Sequence, residues 1–211
     1  MISNRADLVF GTLPDRDWCE ASFTAGYGPQ DKKVPLDLTV HTRKTVFHKD
    51  VPDVGPFLVV VDRLVSPDER KRTWAAAWHL ETTNCCVNGR SFTADFGQDV
   101  GLFGAASDHQ AAIADRRGQK EPHWQGWMPI FKSGPHEHRP IATPVVEGAY
   151  TGRHRVVTVL VPFKGGKSPV LGVEASAETN DRSYTIRFAD GTERTWREPD
   201  DGATGKGTKR L

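Results

Sequence analysis

The chain has 211 residues, of which 37% are hydrophobic and 26% are charged, so it is long enough to bury a core. Lysine and arginine total 28 against 27 for aspartate and glutamate, giving a formal net charge of +1. A chain balanced in this way lacks the basic surface that a phosphate backbone requires, which argues against nucleic acid as a partner. No apolar run approaches the roughly 18 residues of a membrane span.

We predict one domain over residues 1–198. After that point the chain is rich in Asp, Gly, Thr and Lys, and residues 199–211 are predicted to form a flexible polar tail. The N-terminal residues show no signal-peptide pattern, and localisation is left open. Cys19, Cys85 and Cys86 cannot all pair within the chain, so the redox compartment is also left open.

Apolar and polar residues alternate along most of the chain, which is typical of β-strands. Leu38 to Phe47 alternates in this way, and Phe57 to Val61 is apolar on both faces, as in a central strand. Trp74 to Leu80 places its tryptophans on one side, predicted to face the core, and His79 on the other. Arg155 to Phe163 reads as a buried strand.

The last third closes with the clearest hairpin, in which Tyr184 to Phe188 and Thr192 to Trp196 flank a predicted type I′ turn at Asp190-Gly191. The middle is less regular. Ala105 to Arg117 is predicted as a short helix or a long loop, and Pro122 to Pro144 as an ordered loop. The fold class predicted is all-β, a two-layer, mainly antiparallel β-sandwich with at most one or two short helices.

An ordered series of short motifs resembles the C-terminal β-sandwich of the heparinase II/III-like proteins, polysaccharide lyases that join an α-helical toroid to this sandwich. The likeness runs in order from about Trp18 to Trp196. The matching segments are Phe23 to Tyr27, His41-Thr42-Arg43, Phe57 to Arg63, Trp78-His79, Gly126-Trp127 and Thr158 to Pro162.

This resemblance implies β-elimination of a uronate-containing polysaccharide. A base removes the C5 proton of the uronate and an acid protonates the leaving oxygen. In the family most catalytic groups come from the toroid, and this sequence has too few amphipathic helical segments to form one. The resemblance therefore implies an acidic polysaccharide as ligand and a toroid, in cis or in trans, as partner. This chain alone is expected to lack a complete active site, and whether it acts as an enzyme is left open. Family members are often periplasmic or secreted.

The resemblance also implies a metal, typically zinc, held by two histidines and an aspartate. Carried over residue by residue, the ligands are His41, Asp62 and His79, types that suit zinc. Some members have a substrate-contacting histidine two residues before the first ligand, and that position here is Thr39. The alternative is ordinary polar packing of these side chains.

Three further residues are predicted to bind substrate. Arg43 lies on the strand face of His41 and suits a uronate carboxylate, with a surface salt bridge as the alternative. Trp124 and Trp127 suit stacking on sugar rings, and their alternative role is to cover the edge of the sandwich.

Two other readings are weighed against the lyase. One is a non-catalytic carbohydrate-binding or structural sandwich. The other is a metal-dependent barrel of the cupin type, which His41-Thr42-Arg43 does not favour, because cupins place two ligand histidines one residue apart. His136-Glu137-His138 is predicted as a loop without a metal, since Gly134-Pro135 and Arg139-Pro140 flank it.

Overall fold

A computed structural model describes residues 7–24, 37–130, 137–178 and 180–199. Within these residues every regular element is a β-strand, so the helix considered for Ala105 to Arg117 does not form: the end of one strand, a loop and a short strand occupy it. No helix in the described part of the chain is long and apolar enough to cross a membrane.

Eight antiparallel strands form one large sheet in the order β1-β2-β3-β4-β13-β8-β7-β6. Its central strands are rich in valine, whose branched side chains favour the extended backbone. The bounds are β1 Asp7–Thr12, β2 Arg16–Phe23, β3 Val40–His48, β4 Phe57–Val65, β6 Asn84–Asn88, β7 Ser91–Asp95, β8 Val100–Ala106 and β13 Arg153–Lys164.

Two three-stranded sheets accompany the large one, and a short hairpin completes the described elements. The mid-chain sheet has the order β5-β12-β9, the C-terminal sheet has the order β14-β15-β16, and β10 pairs with β11. The bounds are β5 Arg72–Ala77, β9 Ala112–Asp115, β10 Trp127–Ile130, β11 Glu137–Pro140, β12 Pro144–Tyr150, β14 Val170–Glu174, β15 Ser183–Phe188 and β16 Glu193–Arg197.

Apolar clusters lie on both faces of the large sheet, because successive side chains of a strand point to opposite faces. Val157 and Val159 of β13 pack in one cluster with Val173 and Ile186 of the C-terminal sheet. On the opposite face, Val156 packs with Val146 of the mid-chain sheet. The mainly antiparallel β-sandwich is therefore confirmed, with a small sheet on each side of the large one.

The C-terminal hairpin is confirmed, but its turn type was predicted wrongly. The Gly191 amide donates to the Phe188 carbonyl at 3.1 Å, and the Phe188 amide donates to the Thr192 carbonyl at 2.9 Å. Of the tip residues, Gly191 alone has a positive φ, 87°, whereas a type I′ turn needs two. Asp190 instead accepts from Thr192 through its side chain, at 2.8 Å from the amide.

Two more predictions about local structure change. The segment Pro122 to Pro144, predicted as a loop, contains the hairpin of β10 and β11 and the first residue of β12. Of the predicted tail 199–211 the structure describes Pro199 alone, whose carbonyl accepts a hydrogen bond from Lys44 Nζ at 2.8 Å. The single-domain prediction for residues 1–198 stays a prediction.

Candidate functional site

A cleft of about 310 Å³ lies beside the large sheet. Its wall on one side comes from β3 and β4, and on the other from β5 and the last residue of β12. Four lining residues, Asp37, Thr39, His41 and Arg43, follow one another at every second position, so they share one face of the chain as it enters and follows β3. The cleft therefore collects polar side chains that the strand period places together.

The carboxylate of Asp62 is the centre of this polar wall. Arg43 lies directly opposite Asp62 in the β3–β4 register and holds it with two hydrogen bonds, Nε to Oδ1 at 2.7 Å and Nη2 to Oδ2 at 3.0 Å. His41 Nε2 lies 2.7 Å from the same Oδ1. Burial raises the pKa of Asp62, but the hydrogen bonds from His41 and Arg43 outweigh it, so this pKa lies below its usual value.

The predicted metal triad is brought together only in part. His41 and Asp62 are adjacent, but the exposed His79 lies elsewhere, with Nδ1 3.3 Å from Thr143 Oγ1. Among the residues that the structure describes, no group of three or more His, Cys, Asp or Glu side chains is arranged to hold a metal ion. With Asp62 paired to Arg43, these residues do not fit a zinc site, and zinc is not supported.

Arg43 forms an ion pair, but its partner is the buried Asp62, whereas the alternative considered for Arg43 was a surface salt bridge. Its side chain is nonetheless 43% exposed, and its guanidinium carbon lies 5.9 Å from the centroid of the Trp78 ring. Asp62 and Trp78 thus fix a planar, permanently charged group at the wall of the cleft. Whether it binds substrate stays a prediction.

A second chain of hydrogen bonds crosses the cleft wall. The Tyr150 hydroxyl lies 3.1 Å from Thr39 Oγ1, and Thr39 Oγ1 donates to Asp37 Oδ1 at 2.7 Å. Arg72 Nε donates to the other carboxylate oxygen of Asp37 at 2.6 Å. Burial raises the pKa of Asp37, but the hydrogen bonds from Thr39 and Arg72 outweigh this effect. The pKa of Asp37 therefore lies below its usual value, and Asp37 is ionised at neutral pH.

Behind Tyr150 the wall is supported by a buried aromatic group. The His154 ring stacks on Tyr150 with centroids 5.8 Å apart, and the Trp74 ring lies at the same distance on a tilted plane. His154 Nε2 is 3.2 Å from Asp108 Oδ2, and burial lowers the pKa of His154 although Asp108 opposes the shift. These rings fix the position of Tyr150.

The two predicted sugar-stacking residues form a pair outside this cleft. The rings of Trp124 and Trp127 stack with centroids 5.4 Å apart and an interplanar angle of 23°. Trp127 is anchored by its Nε1, which donates to the Gln119 carbonyl at 2.9 Å, whereas Trp124 is 60% exposed. Lys120 Nζ lies 5.7 Å from the Trp127 centroid. Trp124 therefore presents an aromatic surface to solvent.

The His136–His138 segment was predicted as a loop, and two of its residues belong instead to β11. Glu137 and His138 pair with Ile130 and Pro129 of β10, and the His138 ring meets Trp124 edge to face at 5.6 Å. His136 lies outside the described residues.

From the sequence, Thr39 was noted only as the position that holds a histidine in some family members, and Asp37 and Tyr150 were missed. The alternation of Asp37 and Thr39 with His41 and Arg43 is a signal that could have marked them, because polar side chains at every second position share a face. Tyr150 had no such signal, since it meets Thr39 across 111 positions of sequence.

Solved structures with a similar fold include heparan sulfate lyase HepC from Pedobacter heparinus, with a TM-score of 0.65 at 12% identity. The match covers 92% of this chain and 28% of the lyase. A heparinase III crystal structure matches with a TM-score of 0.58 at 11% identity, over 90% of this chain and 27% of that one. No family model and no curated protein sequence matches the chain.

The chain has the β-sandwich fold of a heparinase III region. The resemblance drawn from the motifs is thus confirmed at the level of fold. The chain spans just over a quarter of the length of the two lyases.

Proposed function

We propose that this chain is the sandwich domain of a polysaccharide lyase-like protein. In this role it supports β-elimination of a uronate-containing polysaccharide together with a helical toroid supplied in cis or in trans. The observation that carries the proposal is the likeness to heparan sulfate lyase over 92% of this chain and only 28% of the lyase. A sandwich region of that size contributes part of a cleft and leaves the rest to its partner.

The cleft beside β3 supports the same proposal. A uronate presents a carboxylate and several hydroxyl groups, and the cleft offers the guanidinium of Arg43 beside the imidazole of His41. Arg43 is held in place by Asp62, so little conformational entropy is lost when it meets a ligand. Neutralising the uronate carboxylate favours removal of the neighbouring C5 proton, the first step of the elimination.

The elimination also needs a base and an acid within hydrogen-bond reach of the sugar, and we assign these to the toroid. Purified chain mixed with heparan sulfate, heparin and alginate should give no rise in the ultraviolet absorbance of unsaturated sugar ends. Product from the pure chain would contradict this division of labour.

Binding tests the role of the cleft directly. In nuclear magnetic resonance titrations with a heparan sulfate tetrasaccharide, Arg43→Gln should weaken binding about tenfold, because it removes a charged hydrogen-bond donor. Arg139→Gln is the matched control, since Arg139 pairs with the exposed Glu81 outside the cleft. Failure of the unaltered chain to bind any uronate polymer would overturn the proposal.

A second candidate function is a non-catalytic carbohydrate-binding domain, and the exposed Trp124 favours it. An open indole face suits the apolar face of a pyranose, and stacking on Trp127 holds the indole in one orientation. The same titration separates the two candidates. Binding that survives Arg43→Gln but is lost in Trp124→Ala would assign sugar recognition to the tryptophan pair and favour the second function.

A further inference from the structure

We infer that the Tyr150 oxygen accepts a hydrogen bond from a hydroxyl group of the ligand. The hydrogen bonds that link Tyr150 to Thr39 and Thr39 to Asp37 make Tyr150 an acceptor. The inference rests on the proposed function, because it concerns the cleft to which the sugar is assigned. It goes beyond that proposal by naming a specificity-determining residue and the ligand group that this residue recognises.

The direction of the hydrogen bonds follows from the charge of Asp37. An ionised carboxylate only accepts, so the single proton of the Thr39 hydroxyl is donated to Asp37 Oδ1 at 2.7 Å. Thr39 Oγ1 can then only accept from Tyr150, whose hydroxyl lies 3.1 Å away. The Tyr150 hydroxyl therefore donates its proton to Thr39, and its oxygen keeps a lone pair that can accept a hydrogen bond.

Tyr150 is one of the residues that line the cleft, and 8% of its surface is exposed. Among the residues that the structure describes, Thr39 is the one hydrogen-bond partner of the Tyr150 hydroxyl. Stacking on His154 fixes the ring, and the bond to Thr39 fixes the hydroxyl proton. A group held in this way discriminates strongly, because it accepts from a donor and repels another acceptor.

The charged groups nearby are already matched to one another. Arg43 is paired with Asp62, and Arg72 is paired with Asp37 and Asp68, so each of these charges has a partner of opposite sign. The exposed guanidinium of Arg43 attracts a uronate carboxylate, but this attraction is the same for every uronate polymer and does not select among them. Hydroxyl recognition by Tyr150 adds the selectivity that these paired charges do not give.

A proton relay through the same chain is the competing role, and the charge on Asp37 argues against it. If Tyr150 took a proton from the ligand, its own proton would pass through Thr39 to Asp37. Arg72 and Thr39 hold the pKa of Asp37 below its usual value, so the carboxyl is a poor final acceptor. Tyr150 therefore orients the ligand and does not remove its proton.

The test is a double-mutant cycle between the Tyr150 hydroxyl and individual hydroxyl groups of the ligand. The probes are a tetrasaccharide of alternating glucuronate and N-acetylglucosamine and a set of its monodeoxy analogues. Dissociation constants come from nuclear magnetic resonance titration of the full chain. We expect Tyr150→Phe to weaken binding of the parent about tenfold, and one monodeoxy analogue to bind the unaltered chain about tenfold more weakly. The same analogue and the parent should bind Tyr150→Phe equally, which a purely structural loss would not produce.

Two further variants complete the design. Tyr184→Phe is the matched control, because it removes a buried tyrosine hydroxyl that bonds to His48 outside the cleft, and it should bind as the unaltered chain does. Thr39→Val keeps the phenol but releases its proton, so it should weaken binding of the parent severalfold. This variant serves as the test if Tyr150→Phe fails to fold.

The outcomes separate this inference from the proposed function. Binding of the tetrasaccharide that Tyr150→Phe leaves unchanged, or a loss coupled to no ligand hydroxyl, overturns the inference and leaves the proposed function standing. Absence of binding by the unaltered chain overturns both.

Discussion

Both faces of the large sheet carry charged side chains, which are buried on one face and partly exposed on the other. On the face covered by the C-terminal sheet, Lys44 and Arg155 are fully buried in ion pairs. On the cleft face, Arg43 is 43% exposed although it is the sequence neighbour of Lys44. The period of two sends adjacent residues to opposite faces, so one strand supplies both buried ion pairs and the polar wall of an open cleft.

The closed face satisfies its charges almost completely. Arg155 donates to Glu198 Oε1 at 2.9 Å and to the carbonyls of Ser176 and Ser183 at 3.1 and 3.0 Å. Arg63 also pairs with Glu198. This network holds the segment after β16 against the large sheet. Removing one partner from buried ion pairs of this kind leaves an uncompensated charge in the core, which is strongly destabilising.

Glu198→Gln should therefore give the largest loss of stability. It would leave the guanidinium of Arg155 buried without a carboxylate, which costs about 3 to 5 kcal/mol of unfolding free energy. Urea denaturation followed by circular dichroism measures it. The control is Glu81→Gln, whose partner Arg139 is exposed and whose loss should stay below about 0.5 kcal/mol. A loss under 1 kcal/mol for Glu198→Gln would remove the contrast between the two faces.

His48 also lies on the closed face and should make stability depend on pH. Burial, followed by the positive charge of Arg16, lowers the pKa of His48 to about 4 from an unfolded value near 6.5. Between these values the unfolded chain binds a proton that native His48 does not. The contribution of His48 to the unfolding free energy is therefore complete above pH 6.5. It falls by roughly 2 to 3 kcal/mol as the pH drops to about 4.

Urea unfolding at pH 7 and pH 4.5 measures this dependence. The variant His48→Gln keeps a hydrogen-bonding group for the Tyr184 hydroxyl, which lies 2.9 Å from His48 Nε2. Subtracting its pH dependence removes the contribution of the carboxylates, which also titrate in this range. Equal pH dependence for the two proteins would show that burial does not depress the pKa of His48.

The features that the sequence predicted are those with a local pattern. Phe57 to Val61 and Arg155 to Phe163 were found because valine-rich runs and the period of two are local signals. His41 and Asp62 lie next to each other because β3 and β4 pair and the two residues are diagonal neighbours on one face, but their role as ligands stays a prediction. The zinc prediction lacked support because it needed His79.

Other features depended on contacts that no local pattern records. Tyr150 reaches Thr39, and Arg155 reaches Glu198, only after distant strands have paired. The β10–β11 hairpin was missed because its segment is rich in proline and glycine, residues that usually mark loops.

On the open face, Asp62→Asn should give a smaller loss than Glu198→Gln, about 1 to 2 kcal/mol. The change removes a charge that accepts from Arg43 and His41, but solvent reaches Arg43 and can hydrate it. Thermal unfolding at neutral pH measures the loss. Glu147→Gln, which alters the half-exposed pair with Arg116, is the control and should change stability by less than about 0.5 kcal/mol. A loss as large as that of Glu198→Gln would mean that the cleft is as closed as the opposite face of the sheet.

The smallest effect on stability should come from Trp124→Ala. Its ring is 60% exposed and packs on Trp127, so its removal uncovers little buried surface and should change the unfolding free energy by about 0.5 kcal/mol or less. If the indole binds sugar, the same variant should weaken binding of a heparan sulfate tetrasaccharide about fivefold or more. Phe10→Ala on β1 is the control, because Phe10 is 42% exposed and belongs to the large sheet, whereas Trp127 belongs to the separate β10–β11 hairpin. It should leave binding unchanged. Equal binding by all three proteins, with stability preserved, would restrict sugar recognition on this sandwich to the cleft beside β3.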